Sequence, residues 1–162
     1  LGIGALLGLN PDWRLEAVSL AAHGLWLKKQ YWRSKVQFSF PRITQTAGGF
    51  NVPAPVPEAD LEQMMLAFRL FFHNADIYIS TRESREFRNR IVSYCASNIS
   101  AGSQVAPGGY VEYEQVSAAN DLGQFTVTDN SSVAMVVADM KKQGLEPVFK
   151  DWDNCLGVAN ES

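Results

Sequence analysis

Hydrophobic positions along this chain recur sometimes every second residue and sometimes every third or fourth, and the changes of period mark its elements. Leu1 to Gly8 is a short apolar run closed by glycine, which predicts a buried strand with a helical segment as the alternative. Asn10, Pro11 and Asp12 then offer capping chemistry: either Asn10 caps a helix opening at Pro11, or Asp12 is the cap. Leu15, Val18, Ala22, Leu25 and Trp26 follow at helical spacing, and the helix ends near Tyr31. Val36, Phe38 and Phe40 alternate with Gln37 and Ser39, a strand that Pro41-Arg42 stops. Residues 43–57 hold TAGGF and several prolines and predict a long loop, of a kind that compact domains commonly put to use. Pro57-Glu58 opens a second helix, with Leu61, Met64, Met65, Phe68 and Phe72 along one face.

Ile77 to Ile79 reads as a third strand. From Glu83 onward, Phe87, Ile91, Tyr94 and Cys95 keep helical spacing. Asn98 to Ala101 is a fourth, very short strand, followed by the glycine-rich GSQVAPGGY. Residues 111–130 are polar and irregular. Ser131 to Gln143 forms a final helix with Val133, Val136, Val137 and Met140 inward and Gly144 as its stop. Strand and helix therefore alternate strictly, which means α/β: parallel strands covered by helices. A doubly wound sheet and half of a (β/α)8 barrel both satisfy this order, and periodicity does not choose between them.

Composition narrows the class. The chain has 162 residues, 46% hydrophobic and 19% charged, enough for one globular domain with a sizeable core. A net charge of -3 leaves no basic footprint, so no nucleic-acid partner is expected. The apolar start is too short to span a bilayer and lacks a basic leader, so neither a membrane partner nor a signal peptide is expected. Cys95 and Cys155 stand 60 positions apart; they make neither a disulfide framework nor a metal cluster, and a reducing, cytoplasmic setting is the default. The abrupt opening on Leu1, straight into a strand, points to the downstream piece of a longer protein, with a processed or engineered start as the alternative.

In either parallel architecture, ligand groups gather at the carboxyl ends of strands. Here those ends carry Gly4 and Gly8 on the first, Pro41-Arg42 on the second, Ser80-Thr81-Arg82-Glu83 on the third, and Ser100-Ala101-Gly102-Ser103 on the fourth. Small residues admit a ligand to the backbone, and two arginines with several hydroxyls suit a carboxylate or a ribose. Ser80 and Glu83 also have capping-box spacing, so a helix start with free N–H groups is expected beside Arg82. The remaining polar candidates read as structural. His23 is a packed or surface residue, His73 complements a helix C-terminus, Glu86 and Arg90 form an i,i+4 pair, and Cys95 belongs to the core.

The motifs GALLGL, SFPR, STRES with EFRNR, SAGSQVAPGGY and FKDWD occur together in this order. With them the chain resembles the C-terminal half of the radical S-adenosylmethionine tyrosine lyases of thiamine thiazole biosynthesis, the 2-iminoacetate synthases. The resemblance covers nearly the whole chain. It implies the fifth to eighth strands of a (β/α)8 TIM barrel over residues 1–110. Residues 111–162 would form a C-terminal helical extension, the region associated with biotin and thiamine synthesis enzymes. It also implies the chemistry: S-adenosylmethionine is cleaved at a 4Fe-4S cluster, and the resulting radical breaks the Cα–Cβ bond of L-tyrosine to give 2-iminoacetate (dehydroglycine) and 4-cresol. Thiazole synthase, which consumes the imine, is the implied protein partner.

By position in these motifs, Arg82 with Ser80 and Thr81 would hold the substrate carboxylate, and Ser100, Gly102 and Ser103 face the same mouth. Gly4, Ala5, Leu6 and Gly8 correspond to the strand that approaches S-adenosylmethionine, with Arg42 beside it. The C-x3-C-x2-C motif that binds the cluster is absent, so this chain alone is expected to hold no cluster or other metal and to be catalytically silent. Related lyases that mature FeFe-hydrogenase share several of these motifs. They carry a histidine where Val36 stands and a cysteine-rich tail where only Cys155 is found. A non-catalytic α/β binding module is the competing class.

Overall fold

The computed structural model describes residues 1–43, 50–103 and 127–149. In chain order the elements are β1 (Gly2–Gly4), α1 (Trp13–Gln30), β2 (Gln37–Ser39), α2 (Glu58–Phe71), β3 (Asp76–Ile79), α3 (Arg85–Val92), β4 (Asn98–Ile99) and α4 (Val133–Lys142). The four strands form one sheet in the order β1-β2-β3-β4, every neighbour parallel. Among the described residues each strand lies beside its predecessor and the order never reverses, so they hold no switch point of the doubly wound kind. Four consecutive βα units advancing in one direction are the winding of half a (β/α)8 barrel. β1, β2 and β4 are shorter than the runs that predicted them, while β3 opens one residue earlier, at Asp76. β1 ends at Gly4, and its line resumes only as a bridge between Leu7 and Arg42.

Register places Phe38 beside Ile77 and Ser39 beside Tyr78. Phe38, Ile77 and Ile79 are buried with Phe68, Phe72, Phe87 and Ile91 in a single core. Phe38 meets Phe68 edge-on and Phe72 at a tilt, with ring separations of 4.9 and 4.6 Å. The alternate residues, Gly2, Gly4, Gln37, Ser39, Asp76, Tyr78 and Asn98, are exposed or half-buried. Among the described residues, then, the apolar core lies on one face of the sheet only.

Local chemistry fixes the helix ends. Asp12 caps α1, accepting from the amides of Arg14 and Leu15 at 3.1 and 3.4 Å, while Asn10 accepts from the Asp12 amide. α4 starts on Ser132, which accepts from the Met135 amide, and stops at Gly144 with φ of 75°. α2 buries Leu61, Met64, Met65 and Phe68 as the pattern requires.

Three expectations need correction. α1 buries Trp13, Leu20 and Gly24, and its stripe Leu15, Val18, Leu25, Trp26 faces outward. The cause is close packing: a Cβ on Gly24 would stand 2.7 Å from the Phe38 ring, so the helix seats through its smallest flank, with Ala17 and Ala21 alongside. In α4, Val136 and Met140 turn inward but Val133 is 45% exposed. Arg90 does not take Glu86; it reaches across to Glu58 and Glu62 on α2 at 2.6 and 3.0 Å, because neighbouring helices bring those carboxylates nearer.

Candidate functional site

The carboxyl ends of β2, β3 and β4 open onto a cavity of about 270 Å³. Apolar side chains, Phe40, Leu61, Met65 and Ile79, form part of its lining, and the rest is polar. Ser80, Thr81, Arg82, Ser100 and Ser103, five of the six residues assigned to the substrate, line it together. Gly102 does not; it makes the turn between Ser100 and Ser103 with φ of 61°, a conformation that favours glycine. Three side chains not assigned to the substrate, Tyr78, Ser39 and Glu83, complete the polar wall. Tyr78 hydrogen-bonds Ser100 through its hydroxyl, and Ser39 stands on the neighbouring strand. Alternation was the available signal: Tyr78 shares a face with Asp76, opposite Ile77 and Ile79.

The third strand's tip is not capped as its S-x-x-E spacing proposed. Ser84 is the N-cap of α3, accepting from the Phe87 amide at 3.1 Å. Ser80 instead closes a turn: its hydroxyl accepts from the Arg82 amide at 3.4 Å and its carbonyl from the Glu83 amide at 3.3 Å. The reason lies in Glu83. Its buried carboxylate takes both Nε and Nη2 of Arg42, a two-pronged pair, and cannot also reach back to a helix start. Arg42 Nη1 donates to the Val56 carbonyl at 2.8 Å, which ties the end of the long loop to the same place.

Arg82 sits between two buried neighbours, Thr81 at 4% and Glu83 at 3% exposure, and is itself half-buried at the cavity. Burial draws its pKa down from the ordinary arginine value, against the opposing charge of Glu83. An arriving carboxylate would offset that desolvation.

The residues assigned to S-adenosylmethionine lie outside this lining. Gly4 is bare for a local reason, since a Cβ there would meet Ser39 Oγ at 2.4 Å and its carbonyl oxygen at 2.6 Å. Gly8 has φ of 117° and packs against Val52. Ala5 is buried and Leu6 is 46% exposed. As for a metal centre, no group of three or more His, Cys, Asp or Glu converges among the described residues. Cys95 is buried, and burial pushes its thiol up to about 11. No helix among the described residues is long and apolar enough to cross a membrane. Cys155, all of FKDWD but Phe149, most of the glycine-rich loop and residues 111–126 lie outside the described residues.

Comparison with known proteins adds an independent line. Residues 39–146 match the family model described as the Biotin and Thiamin Synthesis associated domain, on both sides of the boundary drawn at residue 110. The chain is 39% identical over 161 residues to 2-iminoacetate synthase of Escherichia coli K12, covering 99% of this chain and 41% of that protein. It is 38% identical to 2-iminoacetate synthase of Salmonella typhimurium LT2, covering 100% of this chain and 42% of that protein. The chain thus spans about two fifths of the length of the curated relatives it matches. Among solved structures it is similar to HydG, a maturase of the FeFe-hydrogenase, with a TM-score of 0.82 and 26% identity over 96% of this chain and 33% of that one. HydG from Carboxydothermus hydrogenoformans gives 0.77 and 27% over 93% of this chain and 33% of that one.

Proposed function

The chain belongs to the Biotin and Thiamin Synthesis associated domain family, and from that premise we propose that it supplies the amino-acid-binding part of a radical S-adenosylmethionine carbon–carbon lyase. The reaction assigned to it is cleavage of L-tyrosine to 2-iminoacetate and 4-cresol for thiamine thiazole synthesis. Identity of 38–39% to proteins named 2-iminoacetate synthase supports the choice over hydrogenase maturation, as does Val36 in place of a histidine.

The observation that carries the reading is Arg82, a half-buried guanidinium on a cavity wall built of Tyr78, Ser80, Thr81 and Ser100. Its planar fork matches a carboxylate, and the hydroxyls suit the rest of an amino acid's polar groups. Glu83 serves differently: held by Arg42, it stiffens the wall. S-adenosylmethionine and an iron–sulfur cluster supply the redox chemistry when bound. The described residues offer no ligand set for the cluster, so this chain's share is to bind the amino acid, orient it and keep water away. The backbone at Gly4 to Gly8 is the surface assigned to S-adenosylmethionine, and thiazole synthase is the partner that fits an unstable imine product.

Arg82→Ala in the full-length protein tests the assignment. A buried charge pair lost on one side costs about 2–4 kcal/mol, roughly 30- to 1000-fold in kcat/KM for tyrosine. An unchanged kcat/KM would remove Arg82 from the site and the reading with it.

A further inference from the structure

Beside the cavity wall lies a second set of charges, none of which lines the cavity. Arg88 of α3 is 2% exposed, and its guanidinium pairs with Asp129 and, at 3.0 Å, with Asp139 of α4. Asn89 Oδ1 accepts from it at 3.2 and 3.1 Å. Asp139 also takes Arg85 in a two-pronged pair at 2.7 and 2.6 Å. Burying three charges so deeply is expensive, and well-packed apolar residues often do as well or better for stability alone. The network therefore needs a reason beyond stability, and its connections supply one.

Asp129 donates its backbone amide to the carbonyl of Thr81 at 2.9 Å, and Thr128 donates to the same oxygen at 3.0 Å. That oxygen belongs to the peptide that leads into Arg82. Two donors on one carbonyl fix the plane of that peptide. On the other side of Arg82, the side chain of Glu83 is held by Arg42. Arg82 is thus the middle residue between two anchors, each a guanidinium–carboxylate pair with a buried member.

We propose that the Arg88–Asp129 pair is a positioning device that sets Arg82 at the cavity, so that the segment 127–139 serves the amino-acid site. Arg88 and Asp129 are positioning residues, since neither lines the cavity. The inference rests on the reading of Arg82 as the carboxylate-binding group. It adds that a segment 41 residues away in sequence from Arg88 determines how well that group is aimed. Two-pronged recognition of a carboxylate tolerates little misplacement: about 1 Å can cost a hundredfold.

The test compares binding of L-tyrosine and tyramine, which keeps the phenol and the amine and lacks the carboxylate, by calorimetry on the full-length holoprotein. Arg82→Ala should abolish the preference for tyrosine. Arg88→Lys and Asp129→Asn should each reduce that preference by about ten- to a hundredfold while leaving the tyramine Kd unchanged. Asp139→Asn, which leaves the Asp129 pair in place, should lower the melting temperature without moving the preference. Should Arg88→Lys fail to fold, Asp129→Asn decides, because its amide oxygen still accepts from the Ser131 amide, now at 3.0 Å. Equal weakening of both ligands, or an undiminished preference in Asp129→Asn, would overturn the positioning role while leaving Arg82 in the site. A preference that survives Arg82→Ala would overturn the site reading and this inference together.

Discussion

On the helix-covered face of the sheet, Phe38 and Ile77 are wholly buried, and Phe68, Phe72, Phe87 and Ile91 close over them. On the opposite face the same strands present Gly4, Ser39, Tyr78 and Asn98, exposed or half-buried. The first set is chosen by volume and shape, because a well-packed interior registers the loss of single methylene groups. The second set belongs to no such interior; of it, Ser39 and Tyr78 line the cavity, beside Phe40, Leu61, Met65 and Ile79 from the covered side. Along β2 and β3 the wholly buried Phe38 and Ile77 alternate with the cavity-lining Ser39 and Tyr78, a consequence of the two-residue period of β-structure.

A paired substitution on β2 measures this division most sharply. Phe38→Ala should cost about 3–5 kcal/mol in urea unfolding, through lost burial and the cavity left behind. Ser39→Ala, one residue along and facing the other way, should move stability by less than about 0.5 kcal/mol. Similar costs for the two would mean that the faces are not specialised as described.

A smaller effect is expected where α1 meets the covered face. Gly24→Ala places a methyl group 2.7 and 2.9 Å from two carbons of the Phe38 ring. Overpacking of this kind costs about 1–3 kcal/mol, more than the roughly 1 kcal/mol that alanine gains over glycine in a helix. The melting temperature should therefore fall, while Gly2→Ala, with nothing within 4 Å of the new methyl, should leave it nearly unchanged.

The same contrast accounts for what could be read from the sequence. α2 was legible because its apolar residues recur on one side and that side is buried. α1 was misleading because it is apolar on two sides, and its seat was decided by a glycine, which carries no hydrophobic signal. The tips of the second to fourth strands were legible together, since parallel architecture sends them to one end, and Arg82, Ser80, Thr81 and Ser100 share a wall, whereas Gly4 to Gly8 of the first tip and Arg42 lie outside that lining. Glu83 was misassigned because its spacing from Ser80 imitates a capping box, whereas its partner Arg42 is 41 residues away. The ties from Thr81 to residues 128 and 129 were invisible for the same reason: backbone donors leave no trace in side-chain pattern.

One region of the covered side departs from the apolar rule, and its pH response sharpens the comparison. Asp139 is buried, yet hydrogen bonds from Arg85, then from Asn89, and the charges of Arg85 and Arg88 hold its pKa well below the usual carboxylate range, against the cost of desolvation. A folded-state pKa depressed in this way stabilises the fold fully above the unfolded carboxylate value of about 3.9, and the contribution is lost as pH falls toward the folded value. Unfolding free energy should therefore decline below about pH 4, and less steeply in Asp139→Asn. Arg85 is 39% exposed, so salt should weaken its share while leaving that of the buried Arg88 largely in place. A pH profile identical in wild type and Asp139→Asn would mean that the charges beside the wall, unlike the apolar residues around them, contribute nothing to holding the covered face together.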